Sequence, residues 1–150
     1  MNDDQRLMYT IFCDDIRQEM GNKLSIMGVY GGQLLVPQMP FVLPKLCIVM
    51  HARTLREHPF RQLRFRVLKD DELLTEQEIP EETLVAAAKE PKRMLGESEY
   101  ITFAVTAQLI PIVINSPFLL RSRAITEAGE LKGGSLSIEL SPPNDQSAAK

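Results

Sequence analysis

Over most of its length the chain alternates apolar and polar positions with a period of two, the pattern of strands that bury one face. Met8, Thr10 and Phe12 interleave with Tyr9, Ile11 and Cys13, predicting a first strand over 7–14 with little exposed surface. A polar connection, 15–22, leads to a second strand over 23–30. Gly31-Gly32 is a turn signal, and a short strand over 33–36 runs into Pro37 and Pro40. The stretch 45–54 is apolar and β-branched in its middle, as suits a central strand.

Charge predicts the register of the next pair, 61–69 and 73–79, around Asp70-Asp71-Glu72. A three-residue loop sets Arg66 opposite Glu76, Arg64 opposite Glu78 and Leu68 opposite Leu74, with Leu63, Phe65 and Val67 on the other face. A two-residue Asp70-Asp71 loop would instead set Phe65 against Glu76 and Leu63 against Glu78, so the longer loop is expected. Between Pro80 and Pro91, the alanine-rich run 81–90 carries acids at its start and a lysine near its end, which predicts a short helix packing through Leu84, Val85 and Ala88.

From 100 to 114 one face carries Ile101, Phe103, Val105, Ala107 and Leu109, and Pro111 ends or bends the strand. Another strand follows over 118–126. A turn over 127–130 leads into a last strand, 131–140, with Leu136, Ile138 and Leu140 inward and a bulge at Gly133-Gly134. The tail 141–150 has no apolar anchor and is expected to be disordered. Together these elements predict an all-β fold, an antiparallel β-sandwich of about seven to nine strands in one domain, 1–140, with one short crossover helix; a small barrel is the alternative.

Composition narrows the function classes. With 150 residues, 44% hydrophobic and 25% charged, the chain is an ordinary globular domain. A net charge of −3 and a pI near 5.4 argue against coating a polyanion, so nucleic acid is a disfavoured partner. No apolar run approaches the roughly 18 to 20 residues of a membrane-spanning helix, and no membrane contact is expected. The polar, acid-leaning amino terminus points to a cytoplasmic protein.

The densest polar cluster is Asp14-Asp15-Ile16-Arg17-Gln18-Glu19, followed by Lys23 and Ser25. Adjacent carboxylates at a strand end suit a hard cation, so Asp14, Asp15 and Glu19, with His51 in support, are the candidate metal ligands. The competing reading has the aspartates bonding backbone amides in a turn and the other charges forming surface ion pairs, and the acid spacing is not that of an EF-hand. His51 and His58 lack the further convergent ligands of a zinc site, and Cys13 and Cys47 lack CxxC spacing. Both thiols sit in apolar strands, as buried structural cysteines do, and could join only if their strands lie side by side.

Seven basic residues against one acid fall between Lys45 and Lys69, and seven acids with no base between Asp70 and Glu82. The hairpin register neutralises part of this asymmetry, leaving Arg53, Arg56 and Arg61 as candidates for an anion or an acidic partner. Gly28-Val29-Tyr30-Gly31-Gly32 has no phosphate-loop spacing and no following helix, and no cofactor is implied. Leu34-Leu35-Val36 and the run 110–114 are core candidates that would recruit another strand if they lay at an exposed edge.

Cys13-Asp14-Asp15-Ile16-Arg17, Glu19, Lys23, Ser25, Gly28-Val29-Tyr30-Gly31 and Leu43-Pro44-Lys45-Leu46 together resemble a family of uncharacterised bacterial proteins described only as domains of unknown function. The resemblance covers most of the chain and is most specific across 12–32. It implies a bacterial intracellular protein and brings no catalytic residue, cofactor or substrate. With no acid/base pair around a histidine and no nucleotide loop, the expectation is a non-enzymatic interaction or assembly module, with a protein partner or a homo-oligomer formed through a strand edge. The alternatives are a metal-binding or metal-dependent hydrolytic sandwich using Asp14 and Asp15, and an anion or nucleic-acid binder using Arg53, Arg56 and Arg61.

Overall fold

A computed structural model describes residues 5–91 and 99–143. It contains eleven strands and one helix: β1 (Leu7–Glu19), β2 (Lys23–Val29), β3 (Gln33–Val36), β4 (Phe41–Leu43), β5 (Leu46–Leu55), β6 (Leu63–Lys69), β7 (Glu72–Glu78), α1 (Glu81–Lys89), β8 (Tyr100–Leu109), β9 (Ile112–Ile114), β10 (Phe118–Thr126) and β11 (Gly129–Leu140). Two sheets form a β-sandwich. One has the order β2-β1-β5-β8, the other β3-β11-β10-β6-β7, and β4 pairs with β9 in a two-stranded sheet of its own. The all-β sandwich expected from the alternation is present, and α1 crosses from one sheet to the other between β7 and β8.

The inner strands of both sheets turn one row of side chains inward. Met8, Phe12, Ile48, Met50 and Val105 from the first sheet meet Phe65, Val67, Leu120, Leu136 and Ile138 from the second in a single buried cluster. Thr10 and Ser122 also point into this space; their hydroxyls lie 2.7 Å apart and Ser122 donates to the Gly134 carbonyl, so the polar pair is satisfied. The expected bulge at Gly133-Gly134 is there. Arg121 faces Ser135 and Arg123 faces Lys132, which leaves both glycines opposite Ser122, and a Cβ on Gly133 would collide with the Ser122 and Thr10 hydroxyls.

Several expectations are corrected. The strand count exceeds seven to nine, because the short pair β4 and β9 flanks prolines and carries too few residues for its period to register. The sandwich is not wholly antiparallel, since β3 runs parallel to β11. β1 continues to Glu19, and the polar connection shrinks to a turn at residues 20–22 with Gly21 and Asn22 at positive φ. In the β6–β7 hairpin, Arg64 faces Glu78 and Arg66 faces Glu76 as charge predicts. Leu68, however, faces Leu73 instead of Leu74, the loop is Asp70-Asp71, and a bulge absorbs the difference. Of the three expected helix contacts Leu84 is buried, whereas Val85 is 45% exposed, and Leu140 is 51% exposed at the end of β11. The tail beyond residue 143 lies outside the described residues.

Candidate functional site

Strand alternation decides what the acidic cluster can do. Because β1 runs unbroken through it, Asp14 and Asp15 leave opposite faces of the sheet. Asp15 accepts a 2.6 Å bond from Lys45 Nζ and a 2.9 Å bond from the Ile16 amide. The Lys45 bond, with the amide second, holds its carboxyl below the usual carboxylate range. Asp14 accepts from the Tyr30 hydroxyl. Glu19 accepts from Ser25 at 2.8 Å and from Arg17 at 2.7 Å, two bonds that lower its pKa. Asp14, Asp15 and Glu19 therefore do not converge, and among the described residues no group of three or more His, Cys, Asp or Glu could hold a metal ion.

The same geometry accounts for the spacing of these residues in sequence. Gly28 sits at φ +67° with its α-carbon against the Asp14 carboxylate, where a Cβ would overlap that group. Tyr30 follows, its amide donating to the Phe12 carbonyl and its hydroxyl reaching Asp14. Burial first, and the Asp14 bond second, raise the tyrosine's pKa.

β1 and β5 lie side by side with Cys13 directly opposite Cys47. Both are free and fully buried. Burial pushes the Cys13 thiol up to about 11 and raises that of Cys47 as well, so neither is poised as a nucleophile. His51 stacks on Tyr9 across the same two strands, ring centroids 4.4 Å apart, and burial lowers its pKa. His51 and the cysteines thus share one outward row but are separated in it by the Ile11–Val49 pair, and they form no nucleophile and base.

The three candidate arginines have separate surroundings. Arg53 lies over the Tyr100 ring at 4.2 Å. Arg56 donates to the Ala87 and Glu90 carbonyls at 3.5 and 2.9 Å, binding the carboxyl end of α1. Arg61 is exposed and helps line a recess of about 230 Å3 with Phe60, Leu84, Val85, Glu81 and Lys89, a lining without cysteine, serine or histidine.

The most heavily bonded charged group is one that local patterning does not reveal. Arg6, buried at the entry to β1, pairs with Glu127 at 2.6 Å and also reaches the Thr54 and Thr126 hydroxyls and the His58 and Pro59 carbonyls. Its guanidinium covers Phe60 at 4.5 Å. The partners are 121 positions apart, and nothing in either local stretch marks them as a pair.

The sheet edges differ sharply. Of the four edge strands in the two main sheets, β7 carries Glu72, Glu76 and Glu78 and is bulged. β3 has four residues before Pro37, and β2 opens with Lys23 and bends at Gly28. β8 has none of these guards. Its ten residues carry no charge and pair one for one with β5 from Leu46 opposite Leu109 to Leu55 opposite Tyr100. Among the described residues no other element lies along it. The signal was present in sequence as the absence of any Asp, Glu, Lys or Arg from 100 to 120. Just beyond β8, Ile110, Val42 and Val113 are exposed on and beside the small β4–β9 sheet, while Ile112 and Ile114 are core. Likewise Leu35 is exposed between the buried Leu34 and Val36.

Fold and surface together define a β-sandwich domain with a self-satisfied acidic cluster and, among the described residues, one unguarded strand edge; no described helix is long and apolar enough to cross a membrane. The chain belongs to DUF6941, a family of unknown function whose model matches residues 8–117. That span includes the acidic cluster and all of β8, and stops just before β10. No curated protein and no solved structure matches the chain.

Proposed function

We propose that this protein is a non-catalytic binding module that takes up a β-strand of another polypeptide along the free edge of β8. The observation that carries this reading is the contrast between β8, uncharged and regular over ten residues, and the three guarded edges. An edge presents a row of unpaired amides and carbonyls, and proteins that do not use such a row blunt it with charge, proline or a bulge. Strand addition supplies main-chain hydrogen bonds and leaves specificity to alternate side chains. Here the outward row is Tyr100, Thr102, Ala104, Thr106 and Gln108, which accepts a neutral, β-branched neighbour. A cytoplasmic setting is consistent with two buried thiols that remain unjoined although directly opposed.

The test uses a synthetic peptide of alternating threonine and valine, flanked by lysines for solubility, with amide hydrogen exchange as the readout. The edge-facing amides of β8 become protected when the peptide is added, or are already protected because the edge is occupied. Fast exchange at these amides in both conditions would sink the reading.

A further inference from the structure

We infer that the strand received by β8 is the β8 of a second copy of this chain, running antiparallel about a two-fold axis through Ala104. The inference rests on the reading of β8 as a docking edge and names its occupant.

A two-fold axis normal to the sheet places residue i of one strand opposite residue 208 − i of the other, since the two numbers average to 104, the position on the axis. Side chains opposed in this way share a face. The outward row then pairs Tyr100 with Gln108 and Thr102 with Thr106, with Ala104 facing itself. This row reads almost the same in both directions, with β-branched threonines flanking the small side chain that faces its own copy at the axis. The inward row pairs Ile101 with Ala107 and Phe103 with Val105, extending the apolar lining of both sandwiches.

Charge singles out the same occupant. Self-pairing sets an edge against itself, so an edge carrying one sign of charge meets like charge: paired about its midpoint Thr75, β7 would set Glu72 of each copy against Glu78 of the other. β8 has no charge to oppose and none with which to select a foreign strand. The product is one continuous eight-stranded sheet built from two copies of the four-stranded β2-β1-β5-β8 sheet.

Sedimentation of the full chain over a range of concentrations, with two variants at the axis, tests this. Ala104 is exposed in the single chain, so Ala104→Lys leaves the protomer folded, as its circular dichroism and melting confirm, while setting two ammonium groups face to face. The expected result is a wild-type dimer, a monomeric Ala104→Lys protein, and an Ala104→Cys protein that becomes a covalent dimer on mild oxidation. A wild-type chain that stays monomeric while the threonine-valine peptide protects β8 overturns the second copy as occupant and leaves the docking edge standing. A dimer indifferent to Ala104→Lys and not trapped by Ala104→Cys also overturns the inference. If the β8 amides then exchange freely with and without peptide, the docking reading falls with it.

Discussion

Arg6 and Glu127 stand at opposite ends of the sequence, and their pairing ties the entry of β1, the loop after β5 and the β10–β11 turn into one knot. Removing one partner leaves the other charge partly buried, so Arg6→Met should cost about 3 kcal/mol in denaturant unfolding. The same pair sets an acid limit. Burial pushes the Glu127 carboxyl up, but bonds from Arg6 and from the Arg61 and Ala128 amides outweigh it, and its pKa falls below the ordinary 4.5. The unfolded chain therefore binds the proton first, and this contribution is present above about 4.5 and lost as pH falls through the folded value. Glu127→Gln should lower stability at neutral pH and flatten the acid limb of the stability profile. His51 acts in a higher window. Burial lowers its pKa from 6.5, so stability declines as pH drops below about 6.5, and His51→Phe, which keeps a ring against Tyr9, should remove that slope. At Gly28, alanine meets both a positive φ and the Asp14 carboxylate; Gly28→Ala should cost about 2 kcal/mol, partly restored by Asp14→Ala.

Among the elements, α1 is held by little. Leu84 alone is buried, so Leu84→Ala should cost about 2 to 3 kcal/mol. Val85→Ala should stay within about 0.5 kcal/mol. Thermal melting of the two variants separates the observed docking from one that uses both side chains. At this scale the sequence was most readable where two signals agreed. Alternation located β3, β6 and β10, and the opposed charges of Arg64, Arg66, Glu76 and Glu78 set the outer register of the β6–β7 hairpin. The loop itself was misread, because charge pairing constrains facing residues and is indifferent to whether an extra residue sits in the turn or in a bulge at Leu74. β4 was unreadable for a different reason: three residues beside prolines form a strand only because β9 is there to receive them. A strand that stops at Asp14 would leave the acidic cluster in a loop, free to converge on a metal ion. Once β1 extends to Glu19, period-two geometry sends Asp14 to the opposite face from Asp15 and Glu19, and four extended residues, about 13 Å, separate those two.

For the whole molecule, the span matched by the family ends at residue 117, before two strands that the sandwich cannot lose. β10 lies between β11 and β6, and with β11 it supplies Leu120, Ala124, Leu136 and Ile138 to the core. A chain ending at residue 117 should therefore lack cooperative unfolding and dispersed amide signals, which a melting curve and a proton–nitrogen spectrum would show directly. The uncharged edge of β8 is the least readable feature for a related reason. A missing charge in 100–120 acquires meaning only once topology puts β8 at the rim of its sheet and β5 in the interior. The buried position of β5 also gives the two opposed cysteines an experimental use. Both sulfurs lie on the outer face of the first sheet yet meet no solvent, so an alkylating reagent reaches Cys13 and Cys47 only when the side chains packed over that face move aside. Their rate of labelling then reports how often that cover opens, and equal rates at the two sites would mark the opening as a single event.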